Sequence, residues 1–350
     1  MPFDNRFLAA EVTRNDRLVA GWLFVLCAMI LVMVVLGGTT RLTGSGLSII
    51  EWAPLLGTFP PLGEAEWQRL YGLYQQIPQY ELVNKGFGLA GFKQIFWLEW
   101  THRLWGRLLG VVFLLPLIAL VWRGAIRRRL LPRLLGLFVL GGLQGAVGWF
   151  MVASGFFPDS TAVSPYRLVV HLVLALLLYG ALFWTALSII HPTPASASPG
   201  LRRLAWACVA LVSLTIVAGG FVAGLHAGLT YNTFPLMDGH IIPVGYAQLH
   251  PALLNLTENV TAVQFNHRLL ATLTALTVLF TVATGLRMNL PRGARLAVLG
   301  MAAIVLMQYT LGIATLLSVV AIPLAIAHQG TAVLLLAAAL TATHTLRGAK

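Results

Sequence analysis

The sequence predicts an all-α integral membrane protein with eight transmembrane helices, and two observations support this fold class. Hydrophobic residues make up 58% of the 350 residues and charged residues only 10%, with a mean hydropathy of +0.82, which excludes an ordinary soluble globule. Eight segments are also long enough to cross a bilayer core, which takes about 20 helical residues. They lie near residues 18–38, 95–122, 132–153, 166–190, 203–224, 262–285, 295–317 and 321–345.

The distribution of positive charge predicts the orientation of these spans. The net charge is +12, and most basic residues fall on the side of the two termini. These are Arg6, Arg14, Arg17, Arg123, Arg127, Arg128, Arg129, Arg133, Arg202, Arg203, Arg287, Arg292, Arg295, Arg347 and Lys350. Because basic residues on short loops mark the cytoplasmic side, we predict cytoplasmic termini in a bacterial inner membrane. The charge is a topology signal and does not indicate nucleic-acid binding.

The two cysteines, Cys27 and Cys208, fall within predicted helices and far from any CxxC pattern. We therefore predict that both are packing residues, without a disulfide or a zinc site.

The two halves of the chain resemble each other in four places, in the same order. GGTTRLTGSGLSIIEWAPLLG parallels GGFVAGLHAGLTYNTFPLMDG, EWTHRLWGRLLG parallels QFNHRLLATLT, LQGAVGWF parallels MQYTLGIA, and YRLVVHLVLALLLYG parallels PLAIAHQGTAVLLLAA. This pattern predicts two tandem four-helix bundles, related as a parallel repeat. The predicted division is residues 1–190 for the first bundle with a long outer loop, 191–202 for a cytoplasmic linker and 203–350 for the second bundle.

Four histidines occupy corresponding places in the even-numbered spans: His102, His171, His267 and His328. Each lies within about two turns of the outer start of its predicted span, so the topology places them at one depth near the periplasmic side. Two neutral imidazoles on facing helices of a bundle can ligate one haem iron. The spacing therefore predicts one bis-histidine haem site in each bundle.

Other interpretations of the histidines stay open on the sequence alone. Any one of them could instead make a helix–helix hydrogen bond, whereas zinc or copper is disfavoured because no neighbouring ligand completes a coordination shell. His226, just past the fifth span, could cap a site. The remaining histidines, predicted to be solvated, are His191, His240, His250 and His344.

Arginines accompany the histidines at helical spacing and are candidates to pair with haem propionates. Arg103 directly follows His102, and Arg107 lies one turn further along the same helical face. Arg167 lies one turn before His171. In the second half, the corresponding arginine directly after the histidine is Arg268.

The halves differ in charge beside the first histidine of each pair, because Glu99 stands where the second half has Gln264. Glu99 shares a helix face with His102, and a buried carboxylate beside a porphyrin could move protons or stabilise positive charge at the ring edge. An ion pair between Glu99 and Arg103 is the structural alternative, and the two can coexist. The difference predicts that one bundle reacts while the other holds a fixed redox cofactor.

The segments GGTTRLTGSGLSIIEWAPLLG, EWTHRLWGR, LQGAVGWFMVASG, FNHR and AHQG, with the histidine of the fourth span, resemble the haem A synthase family in its proteobacterial and mitochondrial branch. The resemblance covers essentially the whole chain. It implies oxidation of the C8 methyl group of the substrate haem O to a formyl group, giving haem A for cytochrome oxidase. A haem O synthase (a farnesyltransferase) is then the expected upstream partner.

The resemblance also implies roles for individual residues. His102 and His171 would serve the substrate haem, with Glu99 as the catalytic carboxylate, while His267 and His328 would ligate a haem b. Some relatives carry a cysteine pair in the first outer loop, which this chain lacks.

Two other functions remain open on the sequence alone. One is a non-catalytic dihaem electron carrier of the cytochrome b type, in which the difference between Glu99 and Gln264 has no use. The other is a haem transporter or chaperone. The electron donor or acceptor is unidentified, and the glycines Gly141, Gly145 and Gly148 permit close helix packing within one chain or in a homo-oligomer.

Overall fold

The computed structural model describes residues 12–54, 56–191, 193–195 and 197–347, and none of these forms a β-strand. Arg6 and Lys350, two of the basic residues from which the orientation is predicted, lie outside the described residues. So do the first residues of the predicted first bundle and the last residues of the predicted second bundle. Eight of the helices are long and apolar enough to cross a membrane. They are α1 (Arg14–Leu42), α4 (Gly88–Trp122), α5 (Leu131–Ala153), α6 (Pro165–Ile190), α7 (Pro199–Gly224), α8 (Val260–Leu286), α9 (Arg292–Leu317) and α10 (Ile322–Leu346). The predicted multi-pass, all-α fold class is confirmed.

Two shorter helices, α2 (Glu64–Tyr74) and α3 (Pro78–Leu82), lie in the loop between α1 and α4. We call this loop the first outer loop, after its predicted side of the membrane. Together with the outer end of α4 they form an aromatic cap, which we define by its buried residues Leu47, Trp67, Tyr74, Ile77, Phe92, Ile95 and Phe96. Within it the Trp67 and Phe96 rings make an edge contact with centroids 4.9 Å apart. The first outer loop is therefore a folded structure with its own apolar core.

The cap explains why the second span differs from its prediction. The helix begins at Gly88, about two turns before the predicted start at residue 95. Gly88 has a φ of +66°, which an L side chain rarely adopts, so the chain turns there into the helix. The additional turns carry Phe92, which is fully buried in the cap. A prediction from local hydropathy does not detect these turns, because residues of the loop stabilise them.

A surface ion-pair network lies on the cap. Arg69 contacts Glu51 and Glu66, each at 2.8 Å, and the Arg69 guanidinium lowers the pKa of both carboxyl groups. A carboxyl group whose pKa is lowered on folding contributes stability above its unfolded pKa, and that stability is lost as the pH falls through the folded value.

We therefore expect the cap to loosen as the pH falls below about 4.5, the ordinary value for a glutamate. The effect should be small and salt-sensitive, since these side chains are nearly half exposed. Hydrogen–deuterium exchange of residues 64–74 at a series of pH values measures it. The Arg69→Gln variant should lose most of this pH dependence, and an unchanged profile in that variant would contradict the assignment.

The membrane helices pack in corresponding ways in the two halves. In the first half, α1 packs against α4 and α6, and α5 packs against α4 and α6; in the second half, α7 packs against α8 and α10, and α9 packs against α8 and α10. Between the halves, α1 contacts α10, while α6 contacts α7 and α10. The tandem repeat and its boundaries stay predictions.

The predicted burial of polar side chains is right for the cysteines and wrong for one histidine. Cys27 and Cys208 are buried and free, which confirms their packing role. His344 is 1% exposed, not solvated, because the inner end of α6 covers it: its ring contacts Trp184 edge-on at 4.8 Å and Ser188 Oγ lies 3.1 Å from Nε2. The other three histidines predicted to be solvated, His191, His240 and His250, are exposed.

Candidate functional site

Each of the four candidate histidines lies against a glycine of the neighbouring helix. The ring occupies the space that a Cβ would fill, and we call each contact a glycine notch. A Cβ built on the glycine would lie within 3.2, 2.9, 3.0 and 2.9 Å of the rings at Gly37–His102, Gly148–His171, Gly219–His267 and Gly312–His328, respectively. At 2.9 Å either the Cβ or the ring would have to shift, and at 3.0–3.2 Å the contact would be tighter than usual, so glycine lets each ring approach the adjacent helix closely.

The notches occur at corresponding places in the two halves. Gly37 aligns with Gly219, and Gly148 aligns with Gly312, in the sequence matches given above. All four rings are half-buried. The association of His102 with His171 and of His267 with His328 in two ligand pairs stays a prediction.

The predicted position of His102, within about two turns of the start of its helix, is wrong. His171, His267 and His328 lie about two turns from the start of their helices, but His102 lies about four turns from the start of α4. The cause is the early start of α4 inside the aromatic cap. That part of the helix belongs to the outer loop, so equal depth in the membrane stays a prediction.

The ring nitrogens have few protein partners. His267 Nδ1 lies 3.1 Å from the Thr215 carbonyl oxygen, which holds the proton on Nδ1 and leaves the lone pair of Nε2 free to bind a metal. His171 Nε2 lies 3.3 Å from Gln144 Nε2. Among the described residues, the buried Nδ1 atoms of His171 and His328 have no hydrogen-bond partner.

These residues fit a haem better than a simple metal ion. The described residues contain no group of three or more His, Cys, Asp or Glu side chains that could hold an ion. Each pair instead offers two imidazoles, the axial ligand set of a six-coordinate haem. Ring nitrogens without a protein partner are available for such ligation, and the glycine notches leave room for the rings beside the adjacent helices.

Glu99 is 2% exposed, and its carboxylate accepts hydrogen bonds on both oxygens. Oε2 accepts from Ser48 Oγ at 2.7 Å and from the Ile49 N–H at 2.8 Å, while Oε1 accepts from Arg103 Nε at 3.0 Å and Nη2 at 2.5 Å. An ionised carboxylate can accept all of these bonds. The ion pair considered as the structural alternative is therefore present, and it fixes Glu99 against the outer loop.

The candidate propionate arginines bind carbonyl groups near the outer surface. Arg103 donates to the carbonyls of Ile49 and Glu51, and Arg107 donates to those of Ala53 and Pro54. Among the described residues, the buried Nη1 of Arg107 has no hydrogen-bond partner. Arg107 therefore keeps a donor for an anion, while Arg103 uses its guanidinium within the protein.

The other two arginines follow the same pattern. Arg167 donates to the Phe150 carbonyl at 2.7 Å and lies over the Phe150 ring. Arg268 donates to the carbonyls of Tyr231 and Thr233 at 2.6 and 2.8 Å, and its buried Nε has no partner among the described residues. Arg268 thus also keeps one donor available.

In both halves an arginine binds a backbone carbonyl of the outer loop, but the side chain beside the arginine is Glu99 in the first half and Gln264 in the second. Ile49 aligns with Tyr231, and Arg103 and Arg268 each bind the carbonyl of that residue. Glu99 accepts from the Ile49 N–H, whereas Gln264 Nε2 donates to the Tyr231 carbonyl at 3.1 Å. A negative charge is therefore built into this place only in the first half.

Comparison with known proteins gives a consistent result over nearly the whole chain. The COX15-CtaA family model, described as a cytochrome oxidase assembly protein, matches residues 20–340. The chain belongs to this family. It is 67% identical over 338 residues to a Granulibacter bethesdensis protein named "Heme A synthase", covering 96% of this chain and 89% of the relative.

Other relatives in the cytochrome oxidase assembly family carry the same name. A "Heme A synthase 2" of Acidiphilium cryptum is 49% identical over 97% of this chain and 94% of its own length. A "Heme A synthase" of Rhodospirillum centenum is 51% identical over 94% of this chain and 88% of its own length. The family resemblance seen in the sequence, including its proteobacterial branch, is confirmed.

Sequence reasoning missed several residues of this family member's site. The four notch glycines lie inside the matched segments, and their alignment in pairs was the available signal. Gln144 carried a signal of the same kind, because it aligns with Gln308 in the matched segments LQGAVGWF and MQYTLGIA. Thr215 carried none, because only the packing of α7 against α8 brings it to His267. His226 has a φ of +53° at the position that aligns with Gly44, whose φ is +67°, and burial and the nearby Arg41 lower its pKa. Its capping role stays a prediction.

Proposed function

We propose that the protein is a haem A synthase, an oxidoreductase that converts the C8 methyl group of haem O to a formyl group. The product, haem A, serves cytochrome oxidase. The observation that carries the proposal is the set of four histidines at corresponding glycine notches, with a buried carboxylate, Glu99, on the helix of His102 where the second half has Gln264. Family membership and the names of relatives up to 67% identical support it.

In this proposal His267 and His328 ligate a resident haem b, with Arg268 beside them. The bond from His267 to the Thr215 carbonyl supports this assignment, since a ring with a fixed tautomer suits a permanent ligand. When bound, the haem b supplies a one-electron redox centre. The partnerless Nε of Arg268 is available to a propionate.

The Gly312 notch gives a prediction with a matched control on the same helix. In Gly312→Ala the new Cβ would lie 2.9 Å from the His328 ring, and overpacking of about 1–3 kcal/mol would correspond to roughly 5- to 150-fold weaker haem b binding if the ring had to move from its ligating position. Gly300→Ala places a Cβ where nothing lies within 4 Å and should bind normally. Haem titration of the purified variants measures both, and equal affinities would contradict the ligand role of His328.

His102 and His171 hold the substrate haem O in this proposal. No hydrogen bond to a backbone carbonyl fixes the His102 ring among the described residues, in contrast to His267, which suits a site that exchanges its occupant. The free donor of Arg107 is available to a propionate, and Arg167 is a further candidate. The farnesyl tail of the substrate would lie among apolar helix surfaces.

Glu99 is the proposed catalytic carboxylate of the first site. Its two oxygens accept bonds from Ser48, Ile49 and Arg103, which hold the charge of the carboxylate in a fixed position. Such a charge stabilises positive charge that develops at the ring edge when the methyl group is oxidised. The conversion of the methyl group through the alcohol to the aldehyde removes four electrons, which would pass to the electron acceptor of the reaction, and it takes one oxygen atom from water or dioxygen.

The proposal includes an arrangement in the cell. The first bundle, residues 1–190, would hold the substrate and the second, residues 203–350, the haem b, joined by the linker 191–202. The protein would lie in the bacterial inner membrane with cytoplasmic termini and haem sites near the periplasmic side. A haem O synthase upstream and an electron donor or acceptor are its proposed partners.

Haem analysis of membranes expressing the chain, with and without a haem O synthase, tests the function. We expect haem B alone without haem O, and haem O with haem A when it is supplied, measured by pyridine haemochrome spectra and chromatography of extracted haems. A dihaem electron carrier would contain only haem B in both cases. Bound haem O that is never converted would identify a transporter or chaperone.

A further inference from the structure

Gln329 is a polar side chain at the contact between the two halves, directly after His328 in α10. Its Nε2 donates to the Val34 carbonyl oxygen of α1 at 2.9 Å. Amides inside a membrane protein are costly without a partner and more often have a specific task than ordinary packing residues do. The bond connects the helix that carries His328 to a helix of the other half.

The amide also fills a gap in α1. A Cβ on Gly38 would lie 2.9 Å from Gln329 Nε2 and closer still to Oε1, so the amide occupies the space that a larger residue at position 38 would take. The preceding residue, Gly37, forms the notch of His102. One turn of α1 therefore contacts the neighbour of His328 on one side and the ring of His102 on the other.

The corresponding contact elsewhere in the molecule is apolar. Gly38 aligns with Gly220, and Gln329 aligns with Leu172. A Cβ on Gly220 would meet Leu172 at 3.2 Å and Val169 at 3.1 Å. Where α6 meets α7, a leucine therefore fills the space beside the glycine. Where α1 meets α10, a hydrogen-bonded amide fills it.

We infer that Gln329, held in the space beside Gly38, is a positioning residue that sets the placement of the first histidine pair relative to the second. The inference rests on the proposed function for the identity of the two haems. A hydrogen bond fixes the rotation and the register of α1 against α10, which an apolar contact alone leaves free to slide. Gly37, and with it the His102 ring, is held in place as a consequence.

The test combines Gln329→Leu, which installs the residue found at position 172, with Gly38→Ala, which displaces the amide. Gly21→Ala is the control on α1, because a Cβ there meets nothing within 4 Å. Each purified full-length variant is assayed for haem b content, for haem O affinity by spectrophotometric titration, and for hydrogen–deuterium exchange of residues 34–38.

We expect both test variants to retain haem b and to bind haem O about three- to tenfold more weakly, the loss that one hydrogen bond of typical net strength produces. Exchange of residues 34–38 should be faster in both and unchanged in the control. Loss of haem b together with haem O would mean that Gln329 serves only its own site and would overturn the inference. Wild-type affinity and exchange in both variants would also overturn it.

Failure of the proposed function gives a different result. If the wild-type protein takes up no haem O, the proposed substrate is wrong, but the exchange of residues 34–38 still decides whether Gln329 fixes α1 against α10.

Discussion

Replacement of both His267 and His328 by alanine is expected to remove the resident haem b and with it all formation of haem A. The two imidazoles are the proposed axial ligands, and loss of ligands should cost more than the ~10–100-fold in affinity that loss of a second-shell partner costs. Absorption spectra and iron-porphyrin content of the purified protein measure the effect. The single variants should retain weakened, spectrally altered haem.

The control for this prediction is His240→Ala, since His240 is exposed in the second outer loop. It should retain the full haem content and spectrum. A haem-replete double variant that keeps the wild-type iron-porphyrin content and spectrum would show that the second bundle does not ligate haem through these residues, and the division of labour between the bundles would be wrong.

Replacement of Glu99 by glutamine should abolish formyl production while both haems remain bound. The charge is lost but the shape is kept, and removal of one group that stabilises transition-state charge typically costs on the order of 10²–10³-fold in rate. Chromatography of extracted haems under haem O supply measures it. Full output of haem A from this variant would refute the catalytic role of Glu99.

A second variant separates the charge of Glu99 from its role in holding the outer loop. Ser48→Ala removes one donor to Oε2 and leaves the carboxylate in place, so we expect a modest loss of activity. If Ser48→Ala were as inactive as Glu99→Gln, Glu99 would act through the placement of the loop and not through its charge. Gln264→Glu, the reciprocal change in the second half, should leave haem b in place.

Much of the fold followed from local sequence. The number and approximate limits of the membrane helices depend on hydrophobic length alone, which is a property of each segment. The early start of α4 at Gly88 did not follow, because the first turns are supported by the aromatic cap, whose partners are distant in sequence. The prediction that His344 is solvated failed for the same reason. Its place in the last turns of α10 suggests exposure to solvent, but α6 covers it.

For the candidate site, too, the sequence showed some features and could not show others. The four histidines and the Glu99–Gln264 difference were visible as repeated positions within matched segments. The partners of Arg103 and Arg268 were not, because backbone carbonyls of the outer loops carry no signature in the sequence. The connection from Gln329 to Gly38 was equally hidden, although both residues lie in matched segments.

The sequence by itself determined which residues are proposed to carry the chemistry of this protein, because helical spacing and internal repetition place titratable groups within apolar spans and both can be seen along the chain. Only the tertiary structure decided what surrounds those residues: the glycine that backs each ring, the donors that fix Glu99 and the amide that joins the halves. The physical reason is that a hydrogen bond or a close approach is made between elements far apart in sequence, and its geometry exists only once the helices have packed.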